Sequence, residues 1–141
     1  MFTGIIQAVG EVAAIEQTGG DVKLRIKTGA LPLEDVQLGD SIATNGVCLT
    51  VTELPGDGYW ADVSTETLSL TSLKSIVVGG AVNLEKSLTP TTALGGHLVS
   101  GHVDGLGRVV GLTRDARSWR VSIEAPADLA RYIAQKGSIC V

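Results

Sequence analysis

Apolar and basic residues alternate along Val22-Lys23-Leu24-Arg25-Ile26-Lys27. A period of two puts Val22, Leu24 and Ile26 on one face and the cations on the other, predicting a strand with one wet face. Upstream, residues 3 to 15 mix Ile, Val and Ala with Gly4 and Gly10, the pattern of a strand carrying a bend. Thr18-Gly19-Gly20-Asp21 reads as the turn between the two. Leu31 to Leu38, with Pro32, reads as a short connection with room for one helical turn. Next, Ser41-Ile42-Ala43-Thr44 and Val47-Cys48-Leu49-Thr50-Val51-Thr52 flank Asn45-Gly46. Asn-Gly between apolar runs predicts a hairpin closed by a type I′ turn, whose two central residues need positive φ. On the returning strand Cys48, Thr50 and Thr52 share one face, and Val47, Leu49 and Val51 the other. After a turn at Pro55-Gly56-Asp57-Gly58 comes a strand from Tyr59 to Ser64, then a short helix with Thr65 as its expected N-cap. Gly79-Gly80 breaks the chain before a last strand, Ala81 to Glu85.

Shifted by 97 residues, the chain lies over itself. Thr3-Gly4 falls on Ser100-Gly101, Gly10 on Gly107, Val12 on Val109, Leu24-x-Ile26 on Val121-x-Ile123, and Ser41-Ile42 on Ser138-Ile139. Few residues are identical, but the order of glycines and apolar positions is kept without a gap, which points to two copies of one unit. Six short strands with tight turns and little helix predict that the unit is a small antiparallel barrel. Residues 87 to 97 form the expected boundary, giving a first domain at 1–97 and a second at 98–141 that stops halfway. The second contains a short helix expected over 125–133 with Pro126 near its start. Half a barrel by itself would have open edges and an exposed core, so a second unit ending there is expected to be disordered or to need a partner.

Composition narrows the class. The 141 residues are 44% apolar but only 4% aromatic, with 18 glycines, which suits a β-rich core of Val, Ile, Leu and Ala. A net charge of −4 gives no basic footprint for nucleic acid, and no apolar run is long enough to cross a membrane as a helix. Met-Phe-Thr-Gly-Ile-Ile-Gln lacks the basic head and long apolar run of a signal peptide, and Cys48 and Cys140 form no CxxC pair. The expected setting is the reduced cytoplasm.

Candidate chemistry is concentrated in three places. Both histidines, His97 and His102, stand in one glycine-rich run. Their odd spacing on extended chain points the rings apart and no third ligand is near, so no metal site is expected; each reads by itself as a structural histidine satisfied by hydrogen bonds. Cys48 is either a small packed thiol or a reactive one, and no neighbouring cation or helix N-terminus marks it as activated. Cys140, opposite Ala43 in the repeat, reads as packing. Asp62-Val63-Ser64-Thr65-Glu66-Thr67 is a polar run at a strand end, suited equally to capping a helix and to binding a polyhydroxylated ligand. Gly101 to Gly107 lacks the strand-then-helix setting of a phosphate loop.

Four motifs, Met1 to Gln7, Asn45 to Val51, Ser64 to Leu68 and Gly95 to Val103, together resemble riboflavin synthase of the α-chain type, within the lumazine-binding domain family. Lys136-Gly137-Ser138-Ile139 resembles that family's entry to the second hairpin. The resemblance implies an all-β fold of tandem, pseudo-symmetric six-stranded Greek-key barrels, the second incomplete here. It implies a transferase that dismutates two molecules of 6,7-dimethyl-8-ribityllumazine, by four-carbon transfer, into riboflavin and a ribitylamino-pyrimidinedione, with no metal or organic cofactor. It further implies a homotrimer whose site joins the first barrel of one subunit to the second of another, and admits association with lumazine synthase. On this basis one lumazine would rest on Gly4, Ile5 and Ile6, on Cys48, Leu49 and Thr50, and on Asp62, Val63, Ser64, Thr65, Glu66 and Thr67. The other would rest on Gly101, His102 and Val103, near Lys136, of another subunit. Each of the stretches Gly4–Ile6 and Gly101–Val103 is thus expected to line its own barrel's site, with Ile5 against His102 as the break in symmetry. His102 is the expected proton carrier, and Cys48 and Ser41 candidates for assisting addition to the ring. The rival reading is a non-catalytic lumazine- or flavin-binding relative; such relatives have degraded the His-containing start of the second unit, which this chain keeps. A reductase flavin barrel would carry an Arg-x-Tyr-Ser-like motif, which is missing.

Overall fold

The computed structural model describes residues 1–141. Six strands close into an antiparallel barrel: β1 Ala8–Thr18, β2 Asp21–Lys27, β3 Ser41–Thr44, β4 Val47–Glu53, β5 Gly58–Val63 and β6 Ala81–Lys86, in the order β1-β2-β5-β4-β3-β6, with β6 returning to β1. The expected all-β barrel and its Asn-Gly hairpin are both present. Asn45 and Gly46 sit at φ 49° and 78°, as a type I′ turn demands. Alternation does the packing. Val22, Leu24 and Ile26 of β2 meet Val47, Leu49 and Val51 of β4, Tyr59, Ala61 and Val63 of β5, and Val82 and Leu84 of β6 in one core. The Tyr59 ring is fully buried there; its hydroxyl bonds Thr44 Oγ1, and burial pushes its pKa upward.

Several local expectations are corrected. The first strand begins at Ala8 rather than residue 3, because the chain before it leaves the barrel wall and Phe2 and Thr3 pair with residues 97–99. No helix forms within residues 31–38; Val36 N donates to Leu33 O in a single turn. The helix α1, Thr65–Leu70, is capped by Ser64, whose Oγ accepts from Thr67 N (3.1 Å), not by Thr65. A 3₁₀ turn, Ser72–Ser75, continues it.

Two compact units divide the chain, Met1–Val103 with Cys140–Val141, and Asp104–Ile139. The second is a hairpin, β7 Arg108–Asp115 and β8 Ser118–Glu124, followed by a helix α2 of only four residues, Ala127–Ala130, with Pro126 at its N-cap. Val109, Leu112, Trp119, Val121 and Ile123 are exposed, as expected for an incomplete barrel. The 97-residue echo holds at the level of register. Adding 97 to the pairs Glu11–Lys27, Val12–Ile26, Ala14–Arg25 and Thr18–Asp21 gives Arg108–Glu124, Val109–Ile123, Gly111–Ser122 and Asp115–Ser118, all observed. The bulge between Val12 and Ala14 recurs between Val109 and Gly111. Gly19 (φ 61°) corresponds to Ala116 (φ 53°) at the tip of the hairpin.

Candidate functional site

The site is built around the segment 98–103, which packs on the first barrel. Phe2 N donates to Val99 O (2.8 Å) and Val99 N to Phe2 O (3.0 Å). Position 2 plus 97 is 99, so this pair joins a residue to its own counterpart, and the segments beginning at Phe2 and Val99 are related by a local two-fold. Beyond it, Cys48 N on β4 donates to Gly101 O (2.9 Å), extending the sheet by one bond. Gly101 is buried at φ 75°, and a Cβ there would stand 2.8 Å from the Phe2 ring and 2.9 Å from Cys48 Cβ. Only glycine lets the chain come this close. The turn then repeats: Ile5 N donates to Thr3 Oγ1 (3.1 Å) and His102 N to Ser100 Oγ (3.1 Å).

This crossing forms a cavity of ≈ 380 Å³ with three walls. Cys48 and Val47 come from β4, Glu66, Thr67, Leu70 and Thr71 from α1 and its end, and Gly101, His102 and Val103 from the crossing segment. Ser64 Oγ and Thr67 Oγ1 lie 3.1 Å apart, and Thr71 Oγ1 donates to Thr67 O (2.7 Å), so the polar wall is tied together by hydroxyls. Thiol, imidazole, carboxylate and hydroxyls therefore face one space large enough for a bicyclic ring. Gly101–Val103, expected to line the site of the second unit's barrel, here wall the first barrel's cavity beside Cys48.

Other expected residues fall elsewhere. Leu49 and Val63 point into the core (3% and 1% exposed), leaving only their backbones available. Asp62 is exposed opposite Lys23 on β2, Thr65 N donates to Asp21 Oδ1, and Ser41 is paired with Thr50 across the hairpin. Gly4 and Ile6 border a second cavity of ≈ 290 Å³, with Phe2, Ala43, Asn83, Glu85, Val99 and Cys140 among its lining, while Ile5 is exposed. Lys136 lies in the second unit at φ 59°, where the first repeat has Gly39. Leu70, Thr71 and Glu85 were not anticipated. For Thr71 a signal existed, four residues after Thr67 on a helix; for Glu85 there was none.

The lumazine binding domain family matches residues 3–87 and 100–141, the second stretch opening 97 residues after the first. The riboflavin synthase of Photobacterium leiognathi is 48% identical over 141 residues, covering the whole of this chain and 65% of that protein; the riboflavin synthase of Bacillus subtilis (strain 168) is 40% identical over the same shares. The chain thus spans just under two thirds of the length of these relatives. Among solved structures, LumP complexed with riboflavin superposes with a TM-score of 0.81 at 29% identity, covering 94% of this chain and 72% of that one. LumP complexed with 6,7-dimethyl-8-(1'-D-ribityl) lumazine gives a TM-score of 0.78. Fold, duplicated register and family match agree: the chain belongs to the lumazine binding domain family.

Proposed function

We propose that this chain carries the first substrate site, and part of the second, of a riboflavin synthase. Two molecules of 6,7-dimethyl-8-ribityllumazine react; one gives a four-carbon unit to the other, forming riboflavin and 5-amino-6-ribitylamino-pyrimidinedione, and all atoms are conserved between them. The observation that carries this reading is the meeting of His102 with Cys48, Glu66 and Thr67 around one cavity. In that space the lumazine ring lies against the backbone of Cys48–Thr50 and Gly101–Val103, and Glu66 and Thr67 meet its polar edges or the ribityl hydroxyls, each of which needs a partner once desolvated. His102, exposed at the cavity wall, exchanges protons with the ring, both imidazole nitrogens being available as donor or acceptor. Cys48 assists addition to the activated ring carbon. By the local two-fold, Gly4–Ile6 forms the matching wall of the second site. Holding two identical substrates face to face removes up to about 7–11 kcal/mol of barrier through orientation. A homotrimer completes the site between subunits, with lumazine synthase as a further partner and the cytoplasm as the setting. The repeat units of the proposed protein are 1–97 and 98 onward.

A binding-only reading draws on the LumP complexes, which hold the same class of ligand on this fold at 29% identity. Incubation with 6,7-dimethyl-8-ribityllumazine separates the two: one riboflavin for every two lumazines consumed supports the synthase, and bound but unchanged lumazine supports the carrier. His102→Gln is expected to lower the rate about 100-fold with binding retained; unchanged turnover removes His102 from the mechanism.

A further inference from the structure

We propose that Glu85 is a positioning residue for the Gly4–Ile6 wall of the second substrate site, a role that rests on the reaction proposed above. Glu85 occupies an outward position of β6, next to Leu84, which faces the core. Such a position on an outer strand face is ordinarily solvated, as Asn83 and Ala81 are, yet Glu85 is only 2% exposed. The cover is the N-terminal segment itself. Its carboxylate accepts from Thr3 N (2.6 Å), Thr3 Oγ1 (2.6 Å) and Gly4 N (3.0 Å). None of the chain's five ion pairs includes it.

A buried carboxylate without a cation depends on its hydrogen bonds, and here every donor belongs to one turn. The relay continues, because the Thr3 hydroxyl held by Glu85 accepts from Ile5 N in turn (3.1 Å). Two backbone anchors on the same strand flank it: Gln7 N donates to Leu84 O (2.9 Å), and Lys86 N to Gln7 Oε1 (3.0 Å). The carboxylate thus fixes Thr3, Gly4 and Ile5 before the chain enters β1, and it borders the cavity that Gly4 and Ile6 line. First-repeat side chains thereby set the shape of the second site. A neutral amide at this position offers one acceptor oxygen and turns its N–H₂ toward either the Thr3 donors or the Gly4 N–H, so the turn moves although the side-chain volume is kept.

The test compares wild type, Glu85→Gln and Glu85→Asp in riboflavin formation from 6,7-dimethyl-8-ribityllumazine, with amide hydrogen exchange of residues 3–5 and thermal melting alongside. Glu85→Gln is expected to melt as a folded barrel, lose exchange protection at Thr3 and Gly4, and lower kcat about 10- to 100-fold with KM within about threefold, the cost of a small misplacement of one substrate. Glu85→Asp, which keeps the charge, should recover part of that loss. Wild-type kcat in a folded Glu85→Gln variant overturns the proposal and leaves the synthase reading intact. A wild-type protein that forms no riboflavin overturns that reading and this role with it.

Discussion

Two glycines separate backbone freedom from contact. Gly46 sits at φ 78° with open space for 4 Å around the point a Cβ would occupy, whereas Gly101, at φ 75°, abuts Phe2 and Cys48. Gly46→Ala should therefore cost only the left-handed strain, about 1 kcal/mol. Gly101→Ala adds overpacking and should cost about 3 kcal/mol while displacing His102 and Val103 from the cavity. Denaturant midpoints of the two variants measure the difference, and equal losses would show that the close approach at Gly101 contributes nothing. At this scale the sequence was a partial guide. Cys48, Glu66, Thr67 and His102 stood out by type and by motif, but Glu85 reads as an ordinary solvated strand end. Its burial comes from the segment that folds over it, and contacts between residues 82 apart leave no local pattern.

Elements defined by alternation or turn chemistry were legible. Val22–Lys27 and the Asn45-Gly46 hairpin follow from period and φ preference, which act over a few residues. Residues 3–7 read as strand, because apolar content cannot reveal that the chain leaves the barrel to pair with residues 97–99. The connection at residues 31–40 likewise gained its shape from tertiary contacts. Lys86 Nζ reaches across to Asp35 (2.6 and 2.9 Å), tying it to β6, and this hydrogen bond holds the Asp35 carboxyl below its ordinary 3.8. A depressed folded pKa gives stability that is present above the unfolded value and lost as pH falls through the folded one. Asp35→Asn should thus melt slightly lower than wild type near neutrality, and the gap should close as pH falls below the ordinary carboxylate range. A gap that stays constant with pH would assign the loss to packing and not to the ion pair.

The whole molecule is legible as a duplication, and the duplication is most faithful where local pairing dictates it: strand register, bulge and hairpin tip all recur at a spacing of 97. What the echo did not disclose is where residues 101–103 sit. The reciprocal Phe2–Val99 bond carries residues 101–103 onto the first repeat's barrel beside Cys48. The most direct measurement is a structure of this chain soaked with 6,7-dimethyl-8-ribityllumazine. The ring is expected between Cys48–Thr50 and Gly101–Val103, with His102 within about 3 Å of a ring heteroatom or one water away. Lumazine bound with no contact from residues 101–103 would contradict that placement and the shared wall with it.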